Sequence, residues 1–577
     1  MSKEIIARTN AGGDISHAPI TITRDHMESI EEGEILTINI PNSKTMSDIL
    51  VAGTINNLVP VNETEDRNKP FIEYTRSRSN EIVDNDGYAL EEKLKATTYL
   101  NADFKVFSCL EINQFTGPRT LQSLPRPILP GQIVTDPVEF LETLESTLDR
   151  NKYAKFGRIP SKKIKGGHDN LILKPNFDNS AKHIGIFADT SQGKSTVWAN
   201  MLTIYSETEI NIMGVDPKSQ IFNESLASGR NFLEKLKANG RTIYNLSIFD
   251  DIYIDLDIES FSEFAKVFKT FNDSATWNFG NKHKFVKEFG RILLKDYKDI
   301  FQSDDEIDRE TVLSILNEFK EESVASRIYS NMTSDKAVDK FIENIEELTK
   351  DNYRVVSITN NLNELGKLFS KNENKWTIQD INDEFLHRKS GNKSVILIHP
   401  GTEHEISQHY QESHLAYIVS KIINAQKQTL SKSNFDKANA LFFADEADLY
   451  FPKKAKSQHQ QNAVIDLREL LSNWARSKGL GFALICPDPS KLDEEIFERI
   501  IHKTLLIGFG LKQSVINDIS KKLTYELSKE FQGLNPLDSD HKELMEKCEF
   551  FAVGLKSALD PSGLGMLVEF RPEDFDV

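Results

Sequence analysis

Short apolar runs mark the first part of the chain as a region of β-strands. Between residues 34 and 134, alternating or β-branched runs such as 35–40 and 104–112 are separated by Gly, Pro and Asn/Asp clusters. This pattern is typical of short strands joined by turns. It predicts a small β-barrel within residues 1–145. The largely polar stretch 61–85 is expected to form a long loop or a disordered excursion within it.

Longer, nearly continuous apolar runs begin after residue 183 and indicate strands that are buried on both faces. These runs are residues 184–187, 210–215, 394–398, 440–444, 481–485 and 504–507. Segments with helical periodicity separate them, and alternation of strands and helices predicts a parallel sheet. We therefore expect an α/β core in two parts, residues 146–259 and 393–577.

Residues 260–392 interrupt this alternation of strands and helices. Charged segments such as 308–321 and 336–350 repeat apolar residues at helical spacing, with no comparable apolar strand between them. They predict an all-helical insertion between the two parts of the core.

The stretch Ala188-Asp-Thr-Ser-Gln-Gly-Lys-Ser-Thr196 follows the first buried strand and precedes a helix-like segment. A strand that leads through a glycine-bearing turn into a helix N-terminus directs backbone N–H groups and the positive end of the helix dipole at phosphates. Lys194 is then predicted to contact the β- and γ-phosphates, and the Ser195 hydroxyl to bind Mg²⁺. The alternative is a chance Gly-Lys-Ser in a surface turn, since Ala188 stands where the strict motif has Gly. The predicted nucleotide-binding residues are Ser191, Gln192, Gly193, Lys194, Ser195 and Thr196.

Two carboxylates, Asp445 and Glu446, directly follow the apolar strand 440–444. Open α/β sheets bind ligands at the carboxyl ends of their strands. Together with the phosphate loop, this position predicts that Asp445 holds Mg²⁺ through water and that Glu446 is the catalytic residue that polarises the attacking water. ATP is the expected substrate and Mg²⁺ the expected cofactor. The alternative is a strand that merely ends in a charged turn.

Composition restricts the class of protein further. Among 577 residues, 70 Lys and Arg stand against 88 Asp and Glu, a net charge of −18, which argues against a surface that coats nucleic acid. Binding to DNA would need a local basic lining, for which Lys453, Lys454 and Lys456 are candidates; a solvated loop is the alternative.

The three cysteines lie far apart and form no CxxC, so we expect reduced thiols and no zinc site. His404, His409 and His414 have a spacing that neither a helix nor a strand brings together, so we predict no metal site there.

The N-terminus has no apolar signal segment, and no run of eighteen apolar residues occurs in the sequence. We therefore expect a cytoplasmic protein that does not enter a membrane.

The motifs and their surroundings resemble the HerA family in the HerA/FtsK superfamily of DNA-translocating P-loop ATPases. The positions that match are His183, Asp216-Pro217, Asp445-Glu-Ala-Asp-Leu-Tyr-Phe-Pro452, Ala475-Arg-Ser-Lys-Gly479 and Gly481. The resemblance implies a RecA-like P-loop NTPase core with an N-terminal β-barrel and a helical insertion. It further implies a homo-hexameric ring that moves double-stranded DNA. A nuclease or NAD-consuming effector is the implied partner, in DNA-end processing or defence against phage.

Three positions depart from the family pattern. Ser191 stands where the family has a glycine, Asp448 where it has histidine, and Cys486-Pro487 where it has a pair ending in glutamine. Without this glutamine, the chain lacks the side-chain amide that could sense the γ-phosphate. Its absence favours an alternative function, a nucleotide-dependent scaffold ring that assembles and activates an effector with little movement of DNA.

Arg476 is the residue that we predict to act across a subunit interface, as an arginine finger that stabilises the transition state. Its alternative role is that of a solvated cation near a helix C-terminus. Arg468 is the competing candidate for the role of arginine finger.

Overall fold

A computed structural model gives the structure of most of the chain. It describes residues 5–23, 26–27, 29–30, 34–42, 47–62, 98–113, 115–121, 124–147, 157–158, 172–173, 183–188, 194–218, 227–265, 282–303, 306–329, 335–371, 374–387, 393–400, 408–435, 438–501, 504–508, 511, 513–522, 549–554 and 566–569. The polar stretch 61–85, predicted to be a loop, lies outside the described residues apart from its first two. The described chain divides into two compact units, residues 1–178 with 538–571, and residues 179–537 with 572–577.

Strands and helices alternate irregularly along the two units. The strands are β1 (Ala7–Thr9), β2 (His17–Ile22), β3 (Ile35–Asn42), β4 (Ser47–Asn62), β5 (Thr98–Asn113), β6 (Gly117–Leu121), β7 (Ile133–Thr135), β8 (Gly157–Arg158), β9 (Ile172–Leu173), β10 (Ile184–Phe187), β11 (Asn211–Val215), β12 (Thr242–Ser247), β13 (Ile252–Tyr253), β14 (Trp376–Thr377), β15 (Ser394–His399), β16 (Ala440–Ala444), β17 (Leu480–Cys486), β18 (Thr504–Gly508), β19 (Glu549–Val553) and β20 (Met566–Glu569). The helices are α1 (Val138–Thr147), α2 (Lys194–Ser206), α3 (Ala227–Ala238), α4 (Ile258–Ala265), α5 (Lys282–Asp296), α6 (Lys298–Gln302), α7 (Arg309–Glu318), α8 (Glu322–Ile328), α9 (Asp335–Lys350), α10 (Asn352–Phe369), α11 (Ile378–His387), α12 (Gln408–Leu430), α13 (Gln458–Glu469), α14 (Ala475–Lys478), α15 (Glu494–Ile501) and α16 (Gln513–Lys522).

A closed antiparallel barrel forms most of the first unit and confirms the predicted N-terminal barrel. Its strands follow the order β2-β1-β7-β3-β4-β5, and pairing of β2 with β5 closes the ring. Alternate residues point into a core of Ile, Val and Leu side chains around Phe104. At Gly53 the register with β5 shifts, and a Cβ there would lie 2.6 Å from the Phe104 ring and 2.5 Å from the Lys105 carbonyl oxygen. Glycine at this bulge therefore lets the two long strands approach each other.

The end of the barrel leads into α1, where the Asp136 carboxylate accepts the Val138 N–H at 3.0 Å as a helix cap. The first unit also contains four strands that pair antiparallel in the order β19-β20-β8-β9.

Seven parallel strands form the sheet of the second unit, which confirms the predicted α/β class. Their order is β12-β15-β11-β16-β17-β10-β18. Most are buried along their whole length, as in β16 and β17. Because all strands run in one direction, their carboxyl ends share one edge of the sheet.

The described residues between 258 and 387 are mainly helical, from α4 to α11, and the short strand β14 pairs in parallel with β13. Asp308 and Asp351 cap α7 and α10 by accepting backbone N–H groups of the first turn. At Gly290 in α5, a Cβ would lie 2.6 Å from the Phe261 ring, so α4 and α5 approach closely there. The core of this segment is aromatic, with Phe261, Phe264, Phe285, Phe289, Phe301, Phe319, Phe341 and Phe369 all buried.

Of the helices in the described part of the chain, none combines the length and the apolar composition that crossing a bilayer requires.

Candidate nucleotide-binding site

The phosphate-loop motif lies between β10 and the N-terminus of α2. Phe187 ends the strand, Ala188 is fully buried, and the 13-residue helix begins at Lys194. The Lys194 Nζ atom donates a hydrogen bond of 2.9 Å to the Ala188 carbonyl oxygen, so the side chain folds back toward the end of the strand. The ammonium and the positive end of the helix dipole thus lie together at the carboxyl end of β10.

The other predicted nucleotide-binding residues surround Lys194 in sequence. Ser195 lies in the first turn of α2 with an exposed side chain, and Thr196 follows it in the same helix. Ser191, Gln192 and Gly193 lie outside the described residues.

Helix α2 is fixed by packing and by hydrogen bonds at its far end. Its Trp198, Met201 and Leu202 side chains are fully buried. The buried Arg241 guanidinium donates from Nε to the Ser206 carbonyl at 2.7 Å, from Nη1 to the Ile210 carbonyl at 2.7 Å and from Nη2 to the Tyr205 carbonyl at 3.1 Å. A cation at a helix C-terminus is favoured by the dipole. The helix that presents Lys194 is therefore held at both its face and its end.

The predicted carboxylates lie at the carboxyl end of β16, one strand away from the end of β10. Strand β17 separates the two, pairing Leu484 with Ala444 and Cys486 with Phe187. Asp445 is buried, its N–H donates to the Val215 carbonyl at 3.1 Å, and its carboxylate accepts the Glu446 N–H at 3.0 Å. The sheet thus brings Lys194, Asp445 and Glu446 to the same edge.

The backbone of Glu446 is left-handed, with φ 49° and ψ 50°. A residue with a Cβ pays about 1–2 kcal/mol for this conformation, and such strain concentrates at functional sites. The strained turn directs the chain away from the strand directly after Asp445.

A third carboxylate and a lysine follow β11, the neighbour of β16. Asp216 is buried, and its carboxylate accepts the Lys218 N–H at 3.0 Å. The Lys218 Nζ atom lies 2.5 Å from Glu446 Oε1. Partial burial lowers the pKa of Lys218, but the hydrogen bond to Glu446 and the charges of Asp445 and Asp216 outweigh it and raise the pKa overall.

Negative charge is crowded around Asp445. Burial, together with the carboxylates of Asp216 and Glu446, raises the pKa of Asp445 to about 7. A cation next to this group favours its ionised form, so a bound metal would relieve the crowding.

The oxygen donors at this edge fit Mg²⁺. Among the described residues, no three His, Cys, Asp or Glu side chains form a self-sufficient metal cluster. Mg²⁺ needs no such cluster, because it keeps several waters and takes one or two protein ligands with substrate phosphates. The Asp445 carboxylate and the Ser195 hydroxyl are oxygen donors of the kind that Mg²⁺ takes.

Cys486 occupies the end of β17, where the resembling family has its sensing amide nearby. Burial raises the pKa of the Cys486 thiol well above its usual value, the Asp448, Asp488 and Glu446 carboxylates raise it further, and the Lys194 ammonium lowers it. The thiol therefore lies close to both halves of the site but is neutral and fully buried. Burial also raises the pKa of Asp448.

The two candidate arginines lie in different surroundings. Arg476 lies in α14, directly before β17, at the amino edge of the sheet, and its side chain is exposed. The seven residues of β17 place it about 20 Å from the edge that holds Glu446. Arg468 instead donates from Nε to Asp493 Oδ1 at 2.8 Å, and its other terminal nitrogens contact Asp493 and Glu495.

Lys453, Lys454 and Lys456 are exposed in a loop that follows the Asp445-Glu446 turn. The loop is held by main-chain contacts, with the Lys453 N–H donating to the Lys491 carbonyl at 2.7 Å and the Lys456 N–H to Gln460 Oε1 at 2.8 Å. Lys491 is exposed beside them. The fixed loop, with three lysines, and the adjacent Lys491 therefore present four ammonium groups on a chain with a net charge of −18.

Lys218 is the residue of this site that the motifs do not identify. A signal was present in the sequence, because Lys218 directly follows Asp216-Pro217 at the end of a buried strand. The contact with Glu446 joins residues 228 positions apart and depends on β11 and β16 being neighbours.

No protein-family model and no curated protein sequence matches this chain. Among solved structures, the chain is similar to the bacterial conjugative coupling protein TrwBdeltaN70 in complex with sulphate, with 11% identity over 74% of this chain and 91% of that chain and a TM-score of 0.37. It is also similar to the genome packaging NTPase B204 from Sulfolobus turreted icosahedral virus 2 in complex with ATP-gammaS, with 15% identity over 33% of this chain and 71% of that chain and a TM-score of 0.20. Similarities of this size do not show the function of the chain.

Proposed function

We propose that the chain is a Mg²⁺-dependent ATPase of the HerA type, which assembles as a homo-hexameric ring and moves double-stranded DNA. The observation that supports this best is the position of Lys194, at a helix N-terminus, one strand away from Asp445 and Glu446. Nucleotide hydrolysis needs a cation that contacts the phosphates, an oxygen ligand for the metal ion and a base that activates water.

In the proposed reaction the β- and γ-phosphates replace the Ala188 carbonyl as partners of Lys194. Mg²⁺, when bound by Ser195 and Asp445, supplies positive charge to the phosphate oxygens. Glu446 accepts a proton from the water whose oxygen bonds to the γ-phosphorus. The bond from that phosphorus to the β,γ-bridging oxygen breaks, and ADP leaves with the bonding electron pair, which yields inorganic phosphate.

Lys453, Lys454, Lys456 and Lys491 are the groups that we propose to contact the DNA backbone. Each phosphate that a lysine neutralises releases counterions, so binding through this loop should weaken steeply with salt. Lys453 lies seven residues after Glu446, so DNA contact at this loop would act close in sequence to the proposed base.

Arg476 is proposed to act on ATP bound by the neighbouring subunit. The length of β17 separates Arg476 from the nucleotide site of its own subunit, so it cannot reach that nucleotide. Its exposure at the opposite edge of the sheet supports a role at the site of another subunit in the proposed ring.

The proposed effector is a partner protein of the ring. A nuclease or NAD-consuming enzyme follows from the resemblance alone. The barrel is our proposed docking site for it.

Cys486 favours a second candidate function, a ring that binds ATP mainly to organise an effector. A buried neutral thiol has no donor comparable to an amide for sensing the γ-phosphate. Such a scaffold would hydrolyse ATP at a rate that DNA does not change.

The deciding experiment measures the mass of the purified chain and its ATP turnover with and without duplex DNA. A translocase should form a ring and hydrolyse ATP faster with DNA, and replacing Lys453, Lys454 and Lys456 together with Gln should remove the stimulation while keeping the basal rate. Basal hydrolysis that DNA leaves unchanged would favour the scaffold, and absence of ATP binding would refute both functions.

A further inference from the structure

Lys218 lies among the acidic groups of the site without belonging to either sequence motif. Its Nζ atom lies 2.5 Å from Glu446 Oε1, and the Lys218 and Glu446 side chains are 34% and 17% exposed. The neighbouring carboxylates of Asp445 and Asp216 also act on this ammonium. Lys218 is thus a cation placed against the proposed base.

The backbone fixes this contact. The Asp216 N–H donates to the Ile398 carbonyl and the Asp445 N–H to the Val215 carbonyl, so the ends of β11 and β16 are tied to their neighbours in the sheet. The Asp216 carboxylate then holds the Lys218 N–H, and the left-handed turn orients Glu446. Both partners of the ion pair therefore leave the sheet from anchored positions.

Pairing with Lys218 changes what Glu446 can do. One carboxylate oxygen accepts a charge-assisted hydrogen bond, which is shorter and stronger than a bond to water. A base that gives up this partner to bind water must first lose that interaction. The ion pair therefore opposes activation of the attacking water.

We propose that Lys218 is a positioning residue that holds Glu446 in a resting arrangement, and that hydrolysis begins when this pair separates. The inference rests on the proposed ATP hydrolysis at this site. Lys218 also competes with a metal ion for the negative charge of Asp445 and Asp216, because like charges at short range repel. It should therefore weaken metal binding before nucleotide arrives.

The test uses the full chain with Lys218→Met, which keeps a long apolar stem but removes the charge, and Lys218→Arg, which keeps the charge. A third variant joins Lys218→Met to Glu446→Gln. ATP turnover is measured without DNA, and Mn²⁺ binding to the nucleotide-free chain is measured by electron paramagnetic resonance. Circular dichroism reports whether each variant is folded.

Lys218→Met should raise DNA-independent turnover about threefold to tenfold, a small part of the rate that a positioned base contributes. Lys218→Arg should stay within about twofold of the original chain, and the double variant should not hydrolyse ATP, since the gain acts through Glu446. Mn²⁺ should bind about tenfold more tightly to Lys218→Met, because a nearby unit charge is removed.

Unchanged or reduced turnover in folded Lys218→Met overturns the proposal, and so does unchanged or weaker Mn²⁺ binding. A chain that hydrolyses no ATP in its original form refutes the proposed function instead. In that case the Mn²⁺ measurement alone decides whether Lys218 occupies the place of a metal ion.

Discussion

Replacing Arg468 with Ala should destabilise the segment around α15, whereas replacing Arg476 with Ala should not. Arg468 makes a two-pronged contact with Asp493, whose side chain is only 6% exposed. The same carboxylate accepts the Ile496 N–H at 3.2 Å in the first turn of α15. Loss of Arg468 leaves this carboxylate without its counter-ion.

The size of the effect follows from the exposure of the two partners. Removing one partner of a buried pair costs about 3–5 kcal/mol, whereas an exposed pair contributes about 0.2–1 kcal/mol. The Arg468 side chain is 38% exposed, so water reaches the gap and a cost of about 1–3 kcal/mol is expected. Arg476 is exposed, and its loss should change stability by no more than about 0.5 kcal/mol.

Hydrogen exchange is the suitable assay, because a chain with two units has no single unfolding equilibrium. A loss of about 1–3 kcal/mol raises the exchange rate of amides that open with α15 by about 5- to 150-fold. Exchange of α15 in Arg476→Ala serves as the matched control. Unchanged protection of the α15 amides in Arg468→Ala would refute the structural role of Arg468. Loss of hydrolysis in Arg468→Ala but not in Arg476→Ala would identify Arg468 as the arginine finger.

Two further predictions concern the nucleotide site. Lys194→Ala should lower ATP turnover by about 100-fold or more, because it removes the cation at the phosphates, while far-ultraviolet circular dichroism stays unchanged; retention of half the turnover would contradict this role. Glu446→Gln should still bind ATP with Mg²⁺ but lose about 100- to 10,000-fold in turnover, so that radiolabelled ATP is retained on the protein; normal hydrolysis would show that Glu446 is not the base.

The fold could be predicted where burial alone determines the sequence pattern. Strands β10 and β16 are buried along their whole length, and a continuous apolar run is the direct result. Strand β12 was not predicted, because it lies at the edge of the sheet and its first four residues are only half-buried. Its sequence, Thr-Ile-Tyr-Asn-Leu-Ser, therefore lacks a continuous apolar run.

The site could be predicted only as two separate motifs. The order of strands determines that β17 lies between them and that β11 lies beside β16, and this order depends on hydrogen bonds between distant segments. The Lys218–Glu446 contact follows from that order and leaves no local pattern. Arg468 and Arg476 both lie near helix ends in the sequence. Only the structure shows that Arg468 contacts Asp493, whereas the side chain of Arg476 is exposed.

Mixing two inactive variants tests whether Arg476 acts on the nucleotide site of a neighbouring subunit. One end of the strand, Cys486, lies beside the phosphate-loop strand, and the other follows Arg476, so a single buried strand joins a subunit's own site to its exposed arginine. If Arg476 serves the neighbouring site, a Glu446→Gln subunit still offers its Arg476 to a neighbour, and an Arg476→Ala subunit still offers its Glu446. Rings that mass measurement shows to contain both variants should then regain part of the turnover that each lacks alone. An arginine that acted within its own subunit would restore none at any mixing ratio, because neither subunit has both groups.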